Sequence, residues 1–404
     1  MRVAVVGAGA SGLFVSGLLA KSGADVTVFE KNDKVGKKLF ITGKGRCNFT
    51  NVCSVEEFLQ NVVRGEKFLK SALYGFSSYD TLNYFSELGL EYKVERGNRA
   101  FPESDKSGDV IKVLKEKHFK NVKFLFSDAV SSVYKDKDQF VVISQSGKWT
   151  FDKVIVATGG VSYSATGSTG DGYKIARSFG HEIVKPVSAL CPIKLKDKFV
   201  KKLQGVSLKN VSLCVKTENK TFSEFGEMLF TDCGISGPIV LTASCFVNRS
   251  ENVSLSIDFK PALTEKQVDL RLLRDFDENK NKDLKTVMKG LLPKAVADVF
   301  PAHIGIDENK KIHDITKEER EKIVSGLKDF KLHFDGLYDI NSGIVTSGGV
   351  DLKQINPKTM ESKVVSNLYF LGEVLDVDAL TGGFNLQIAW STAFACAKAI
   401  SSEV

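Results

Sequence analysis

The beginning of the chain shows apolar runs separated by glycines, a pattern that predicts a strand, a helix and a second strand. Val3 to Val6 is a short, uninterrupted apolar run, as expected of a buried parallel strand. Leu13 to Ser22 then carries apolar residues at helical spacing, and Gly23 ends the predicted helix. Asp25 to Glu30 is again mostly apolar and predicts the next strand. This order predicts an α/β domain with a parallel sheet.

Apolar periodicity continues to about residue 189 and predicts further elements of the same domain. Residues 31–51 lack periodicity and are interpreted as a polar, glycine-rich loop. Residues 56–90 have helical periodicity, Ser107 or Asp109 is a candidate cap for a helix ending near residue 118, and another helix is predicted at about 173–179. Strands are predicted at 122–126, 129–134, 139–144, 148–151 and 152–157.

The pattern changes after Cys191. Residues 206–215 and 253–259 alternate between apolar and polar positions, which indicates antiparallel strands with one exposed face, as in a small β-barrel. Thr264 is a candidate cap for a helical region that extends to about residue 331, with 275–283 as a solvated turn. Residues 330–334 are predicted to return a strand to the barrel.

The last sixty residues return to the pattern of the first domain. Residues 368–371 predict a buried strand, and 388–400 predict a helix rich in small residues. The predicted fold class is therefore α/β, with a Rossmann-like domain (1–189 and 344–404) interrupted by an insert. The insert consists of a small antiparallel β-barrel (190–262 with 329–343) and a helical subdomain (263–328).

Composition and charge limit the function classes. The chain has 404 residues, of which 43% are hydrophobic and 26% charged, as in a globular protein. The net charge of +7 comes from scattered lysines rather than a basic run, so we expect a solvated surface and no nucleic-acid partner. The seven cysteines include no C-x-x-C pair, which disfavours disulfides and a metal site and fits a reducing cytoplasm.

The uncharged segment after Arg2 has an alternative interpretation as a signal peptide or a membrane span. Its glycine spacing, and the charged end of the strand that follows, argue against both. We expect a cytoplasmic protein that does not contact a membrane. Its oligomeric state is left open.

The first strand is followed by Gly7-Ala8-Gly9-Ala10-Ser11-Gly12, which has the G-x-G-x-x-G spacing of dinucleotide-binding proteins. In such a motif the first glycine makes the turn, the second lets the backbone approach a pyrophosphate, and the third lets helix and strand pack closely. Glu30 stands at the end of the second strand, where a carboxylate can bind a ribose hydroxyl. Strand, motif, helix and acid together predict a dinucleotide site.

Four other segments are candidates for the same site. The strand that ends at Ala157 is followed by Thr158 and Gly159, where a second backbone segment would approach the dinucleotide. Gly372-Glu373 follows the predicted strand at 368–371, and the Thr-Gly-Gly of 381–383 precedes the predicted helix at 388–400. Arg46, Cys47 and Asn48 are the reactive members of the 31–51 loop. Cys47 is equally interpreted as a small buried thiol, and no second cysteine stands in dithiol spacing.

Four segments resemble a known family of flavoenzymes. They are GKKLFITGKGRCNFTN (36–51), TGSTGDGY (166–173), TMESK (359–363) and GEVLDVDALTGGFNLQIAWST (372–392). Together they are similar to the HI-type YhiN/BaiN family of FAD-dependent oxidoreductases, which includes aminoacetone oxidase flavoproteins. The resemblance covers essentially the whole chain and implies FAD bound across the two-segment Rossmann-like domain. Ser164 and Ala393 depart from it, since the family usually carries proline and glycine at these positions.

The resemblance implies a set of cofactor-binding residues but no catalytic residue. Gly7 to Gly12 would meet the pyrophosphate, Glu30 with Lys31 the adenosine ribose, and residues 382–386 the pyrimidine end of the flavin. The full implied set is Gly7, Gly9, Ala10, Ser11, Gly12, Glu30, Lys31, Lys37, Lys38, Arg46, Cys47, Asn48, Val130, Ala157, Thr158, Gly159, Gly372, Glu373, Gly382, Gly383, Asn385 and Leu386.

The expected function is hydride transfer between a small organic substrate and either oxygen or a nicotinamide. An amine or aminoketone oxidase and an NAD(P)H-linked reductase both fit this expectation. NAD(P)H is at most a transient electron donor, because only one dinucleotide motif is present. Two alternatives of other classes are a flavin-dependent RNA-modifying protein and a non-enzymatic flavin redox sensor. The first would need clusters of lysine and arginine interleaved with aromatic residues, and the sequence shows none.

Overall fold

The computed structural model describes residues 1–118, 121–218 and 220–403 of the chain. The chain divides into two compact units. Unit 1 comprises Met1–Ala189 and Ile340–Val404, and unit 2 comprises Leu190–Asp339. The sequence sets the return to the first domain at residue 344 and separates 263–328 as a helical subdomain, and this finer division remains a prediction.

The helices of both units are mostly short. In chain order they are α1 (Ala10–Lys21), α2 (Lys37–Ile41), α3 (Val55–Gln60), α4 (Glu66–Gly75), α5 (Ser78–Glu87), α6 (Ser107–His118), α7 (Asp171–Ser178), α8 (Pro238–Val247), α9 (Glu265–Glu278), α10 (Leu284–Met288), α11 (Lys294–His303), α12 (Lys317–Lys328) and α13 (Phe384–Ser401). Among these described helices, none combines the length and the apolar character that crossing a lipid bilayer requires.

The strands form one parallel sheet, one closed barrel and several small sheets. In chain order they are β1 (Arg2–Val6), β2 (Asp25–Glu30), β3 (Thr50–Asn51), β4 (Val62–Arg64), β5 (Tyr92–Glu95), β6 (Arg99–Pro102), β7 (Val122–Phe126), β8 (Val130–Asp136), β9 (Gln139–Ser144), β10 (Gly147–Phe151), β11 (Lys153–Val156), β12 (Ile183–Ala189), β13 (Ile193–Leu195), β14 (Ser207–Lys216), β15 (Thr221–Phe230), β16 (Gly234–Ser236), β17 (Ser254–Asp258), β18 (Phe330–Leu337), β19 (Val345–Val350), β20 (Leu368–Phe370) and β21 (Asp378–Ala379).

The centre of unit 1 is a parallel sheet in the order β20-β11-β1-β2-β7. Val5 pairs with Val28 of β2 on one side and with Ile155 of β11 on the other. Strands β1, β11 and β20 of this sheet are mostly apolar, and most of their side chains are buried. All pairs are parallel, so β1, β2, β11 and β20 end at one edge of the sheet. This sheet confirms the predicted Rossmann-like architecture.

Helix α13 fills the core of unit 1 with aromatic contacts. Trp390 is fully buried, and its ring centroid lies 5.4 Å from that of Phe14 in α1 and 5.5 Å from that of Phe85 in α5. Its indole N–H donates a hydrogen bond of 2.9 Å to the carbonyl oxygen of Phe49. One side chain therefore ties the C-terminal helix to two N-terminal helices and to the segment before β3.

The centre of unit 2 is a closed barrel in the order β13-β16-β15-β14-β17-β18. All its strand pairs are antiparallel, and alternate residues such as Leu213 and Ile257 point into a shared apolar core. Helix α8 packs against β15, and α9 to α12 extend the same core. The predicted antiparallel barrel and its helical extension are both present. The sequence analysis missed β15 and α8, because β15 carries polar residues and glycine at positions where periodicity is read.

Three stretches differ from the sequence-based expectation. The 31–51 loop contains α2 and β3, and the helical stretch 56–90 is interrupted by β4. Residues 275–278 belong to α9 rather than to a turn, since Arg271 binds Asp275 one helical turn away, at 2.8 Å. Helices α1 and α13 begin earlier than the apolar periodicity indicates, at Ala10 and Phe384.

The Trp390 contacts predict a graded loss of stability. Trp390→Phe keeps an aromatic ring but leaves the buried Phe49 carbonyl without its donor, which should cost about 1–3 kcal/mol of unfolding free energy. Trp390→Ala also leaves a cavity and should cost about 3–5 kcal/mol. Urea unfolding followed by the fluorescence of the remaining tryptophan, Trp149 of unit 1, measures both. Equal losses for the two variants would contradict a role for the hydrogen bond.

Candidate functional site

The candidate site lies where the parallel strands of unit 1 end. The N–H of Gly7, just after β1, donates to the carbonyl oxygen of Phe29 at 2.8 Å. The N–H of Ala157, just after β11, donates to that of Val6 at 2.9 Å. The predicted residues Gly7, Glu30 and Ala157 are therefore neighbours at one sheet edge, as the parallel order requires.

The three glycines of the motif have different surroundings. A Cβ on Gly7, whose φ is +101°, would lie 2.7 Å from the carbonyl oxygen of Ala157. A Cβ on Gly12 would lie only 1.9 Å from the carbonyl oxygen of Gly7, so α1 packs directly on the end of β1. A Cβ on Gly9, which precedes α1, would have no heavy atom within 4 Å. Two glycines thus serve backbone packing, and the third faces open space at the start of α1.

Glu30 is buried and bound to the backbone of this loop. Its Oε2 accepts a hydrogen bond from the N–H of Ala8 at 2.9 Å. Its Oε1 accepts from the backbone N–H of Asn32 at 2.8 Å and from the Asn32 amide at 2.7 Å. The carboxylate therefore connects the end of β2 to the glycine motif, and Asn32 is a member of the site that the motif analysis did not include.

Lys31 points to the segment before α7. Its Nζ lies 2.7 Å from Oδ2 of Asp171 and 2.5 Å from the hydroxyl of Thr169. Burial raises the pKa of the Asp171 carboxyl, but hydrogen bonds from Lys31, Thr169 and Lys174 outweigh it and lower the pKa to about 2. Asp171 is therefore ionised at neutral pH and fixes the Lys31 cation at the site edge.

A second carboxylate, Glu373, joins four segments of unit 1. Its two oxygens lie 3.0 and 2.8 Å from Nζ of Lys38 in α2. Its Oε1 also accepts from the hydroxyl of Ser162 at 3.1 Å and from the backbone N–H of Thr346 at 2.8 Å. Gly159 lies beside this group, since its Cβ would be 3.9 Å from Oε2 of Glu373. The structure thus brings Lys38, Gly159 and Glu373 together, as expected.

Other predicted residues lie next to this group. Gly372 has a φ of +66°, and a Cβ there would lie 2.4 Å from the hydroxyl of Ser11, so the two predicted segments touch. Its N–H donates to the hydroxyl of Thr392 in α13 at 3.1 Å. The hydroxyl of Thr158 packs against Gly172, whose Cβ would lie 2.1 Å from it.

Three of the predicted residues are placed differently. Lys37 forms an exposed ion pair with Asp33 at 2.8 Å. Val130, the first residue of β8, pairs with Ser144 of β9. The Arg46 guanidinium binds the carboxylates of Glu95 and Asp105 and lies 4.2 Å from the ring centroid of Phe101. No described contact joins any of these three to Glu30 or Glu373.

The segment from Gly43 to Cys47 is a tight turn in which four residues have left-handed backbone. Gly43, Lys44, Gly45 and Cys47 all have positive φ, at 61°, 59°, 86° and 60°. The Cys47 side chain is fully buried, and burial raises the pKa of its thiol well above the ordinary value. The structure therefore supports the interpretation of Cys47 as a small buried thiol. The Oδ1 of Asn48 is buried without a hydrogen-bond partner.

Asn48 faces the start of α13. A Cβ on Gly383, the residue before this helix, would lie 2.9 Å from Oδ1 of Asn48 and 2.4 Å from the carbonyl group of Thr50. Asn385 holds the incoming turn through both ends of its amide, at 3.0 Å from the N–H and 2.7 Å from the carbonyl oxygen of Ala379.

The carbonyl of Gly382 accepts from the amide of Asn51 at 2.9 Å, and the neighbouring Leu386 is half-buried. The glycine pair therefore lets the 48–51 segment approach the helix end closely.

The sequence did not reveal every residue of the site. Ser162 and Thr346 reach Glu373 from segments about 180 residues apart, so no local spacing could reveal them. Asn32 lies two residues after Glu30 in the chain, and Asp171 belongs to the segment 166–173 that carries the family resemblance. These positions were the available signal.

A sequence profile described as "HI0933-like protein Rossmann domain" matches residues 1–399. The chain belongs to the HI0933-like family. The resemblance found in the sequence analysis is thereby confirmed, and it extends over both units. The family and its reductase members make the chain a flavoprotein oxidoreductase with an FAD-binding Rossmann-like domain.

Two curated relatives cover nearly the whole chain. The ribosomal RNA dihydrouridine synthase of Haemophilus influenzae is 36% identical over 99% of this chain and 98% of its own length. The 3-dehydro-bile acid delta(4,6)-reductase of Clostridium scindens is 30% identical over 100% of this chain and 99% of its own length.

A solved structure, 3-ketosteroid-delta4-(5alpha)-dehydrogenase of Rhodococcus jostii RHA1, has a TM-score of 0.51 and 14% identity over 98% of this chain and 96% of that chain. This last likeness concerns the fold alone.

The surroundings of the motif glycines predict two separable defects. Gly9→Val should abolish FAD retention and leave the apo-protein stable, because its side chain enters open space in front of α1. Gly12→Ala should lower the unfolding free energy of the apo-protein by about 1–3 kcal/mol, because its Cβ overlaps the Gly7 carbonyl. Flavin absorbance of the purified variants and thermal unfolding of their apo-forms measure the two effects. Full flavin occupancy in Gly9→Val would show that the cofactor does not use this helix end.

Burial of Cys47 predicts that its thiol is inert in the native protein. Its thiolate forms only above a raised pKa, so alkylation by iodoacetamide should stay negligible from neutral to mildly alkaline pH. Cys233, which is exposed, serves as the internal positive control. Peptide mass spectrometry before and after denaturation reports both sites. Native labelling of Cys47 at the rate of Cys233 would instead indicate a reactive thiol at the site.

Proposed function

We propose that this chain is an FAD-dependent reductase that adds hydrogen across a carbon–carbon double bond conjugated to a carbonyl group. The common chemistry of the two full-length relatives carries this proposal. Forming dihydrouridine saturates the double bond of a uracil ring, and a delta(4,6)-reductase of a 3-oxo bile acid saturates double bonds conjugated to its ketone. Each double bond that is saturated takes up one hydride and one proton.

The residues at the sheet edge fit FAD. Gly9 leaves room at the start of α1, where free N–H groups and the helix dipole would hold the pyrophosphate. Glu30, at the end of β2, would hold the adenosine ribose, and Lys38 with Glu373 would lie along the ribityl region. The buried, unpartnered Oδ1 of Asn48 would accept a hydrogen bond from the pyrimidine end of the flavin.

FAD, when bound, supplies the hydride chemistry. The chain supplies position and charge. Glu373 and Ser162 hold Nζ of Lys38 at 2.8 and 2.7 Å, which keeps one cation fixed beside Gly159. The start of α13 carries a positive partial charge, and the 48–51 segment lies directly against it. Both features stabilise negative charge that develops nearby.

Two substrate classes share the chemistry. A small enone fits the small organic substrate that the sequence predicts, and the bile-acid reductase relative supports it. A uridine of ribosomal RNA is the second class, and the dihydrouridine synthase relative supports it against the expectation of no nucleic-acid partner. In either case reducing equivalents come from outside the chain, and NADH or NADPH is the proposed donor. We further propose a cytoplasmic location, on the basis of its seven free cysteines.

We expect the reduced holoprotein to transfer hydrogen to a conjugated double bond in preference to oxygen. Holoprotein reduced anaerobically, with NADH, NADPH or dithionite, is mixed with 4-androstene-3,17-dione or with an unmodified ribosomal RNA transcript. Flavin reoxidation and product mass are followed, and a gain of two hydrogen atoms is expected for one acceptor. Gly9→Val, prepared in parallel, controls for reduction without the cofactor.

The outcomes separate the alternatives. If neither acceptor reoxidises the flavin, and added amines or aminoketones cause rapid oxygen consumption, the protein is an oxidase and not a reductase. Reoxidation by no substrate at all would favour a redox sensor.

A further inference from the structure

The barrel of unit 2 carries an unusual group of lysines. Between residues 194 and 220 there are eight lysines and only two acidic residues, Asp197 and Glu218. We name this set the barrel lysines: Lys194, Lys196, Lys198, Lys201, Lys202, Lys209, Lys216 and Lys220. All are exposed except Lys194, which is half-buried. In the sequence they look like scattered charges, because they do not form one continuous basic run.

The barrel lysines differ from the other basic residues of unit 2 in their partners. Within the described residues, none of them lies within 4 Å of a carboxylate oxygen. Most lysines and arginines of α9 to α12 and their flanking residues do, for example Lys285 with Glu308 and Lys289 with Asp298. The positive charge of the helices is therefore neutralised locally, and that of the barrel is not.

The two acidic residues of the segment are already bound to protein donors. Both oxygens of Asp197 lie 2.7 Å from nitrogens of His333, one of them the backbone N–H. Glu218 accepts from the backbone N–H of Asn252 at 2.6 Å. Two further acids, Glu227 on β15 and Glu251 before β17, are exposed near the barrel lysines. A fifth acid, Asp329, interacts electrostatically with Lys216, and the eight barrel lysines still outnumber these five acids.

An open groove of about 500 Å³ connects the lysines of different strands. Its lining includes Lys196 after β13, Lys216 at the end of β14, Phe334 of β18, and the polar residues Asn252 and Ser254. Strand register explains the convergence, since Lys216 pairs with Ser254 and Ser254 pairs with His333, whose carbonyl accepts from the N–H of Lys196. Glu218 and Glu251 line the groove as well.

One exposed aromatic side chain stands on the outer face of the barrel, whereas the aromatic pair near Lys220 is half-buried. Phe225 of β15 is 60% exposed and pairs with Ser212 of β14, so its ring stands on the polar outer surface of the barrel. Nζ of Lys220 lies 5.8 Å from the ring centroid of Phe246, which stacks on Phe222 at 4.4 Å. Exposed aromatic rings beside lysines on a barrel surface are a combination that binds single-stranded nucleic acid.

We infer that the outer face of the barrel docks RNA, with Lys196 and Lys216 binding backbone phosphates and Phe225 offering a surface for an unpaired base. Phosphodiester charge complements lysines that lack protein partners, and lysine at a phosphate releases condensed counterions. This inference rests on the RNA arm of the proposed function, and it assigns the partner rather than the chemistry.

The test compares two double variants of equal charge. The first, Lys196→Gln with Lys216→Gln, removes two barrel lysines. The second, Lys285→Gln with Lys289→Gln, removes one lysine in α10 and one just after it, and both are paired with acids. Holoprotein is titrated into a fluorescent stem-loop RNA with an unpaired uridine loop, at several salt concentrations. The barrel variant should bind about tenfold to thirtyfold more weakly at 0.1 M salt, with a salt slope smaller by about 1.4. The control variant should bind like the native protein.

Several results would overturn the inference. They are an absence of RNA binding by the native protein, an equal loss in both double variants, and binding to anionic phosphatidylglycerol vesicles in place of RNA. Dihydrouridine formation is measured in the same samples, so the inference and the proposed function fail separately. RNA that binds through Lys196 and Lys216 but is never reduced retains the docking surface and refutes the RNA substrate. RNA that both variants reduce equally would refute the docking surface and retain the RNA substrate.

Discussion

The contact between the start of α1 and the end of β1 is the constraint on which the rest of unit 1 depends. Gly12 lies so close to Gly7 that no side chain fits between them, and this closeness directs the helix start toward the ends of the parallel strands. Glu30 then reaches the Ala8 N–H, and Gly372 reaches Ser11. Without that approach, the strands would still pair, but their ends would not enclose a common space for a dinucleotide.

Glu373 acts at longer range than the glycines. It binds groups from α2, from the loop after β11 and from the start of β19, which lie far apart along the chain. A single carboxylate thereby fixes one lysine and two backbone segments in one geometry. Charge is treated differently in unit 2, where most helical lysines are paired with acids and, in the described part of the chain, the barrel lysines are not. The first arrangement orders a site, and the second leaves charge available for a partner.

The sequence revealed what depends on local spacing. The glycine motif, the acid at the end of β2, the parallel strands and the barrel alternation all follow from residues within one or two elements. The partners of Glu373 and of Arg46 could not be found in this way, because they come from distant segments. β15 was missed because its outward positions carry serine, glutamate and phenylalanine without a clear period. The barrel lysines looked scattered because their convergence depends on strand register, which only the folded barrel defines.

The position of β20 in the sheet has a consequence for biosynthesis. β20 pairs with β11, yet more than two hundred residues, including all of unit 2, separate the two strands in the chain. During translation, β11 therefore leaves the ribosome with one edge unpaired and waits while the whole barrel is made. The segment that supplies β20, Glu373 and α13 emerges only after unit 2. Cofactor capture and the closing of the sheet edge are consequently late events, and a nascent chain that stalls before residue 368 presents an open strand edge to its neighbours.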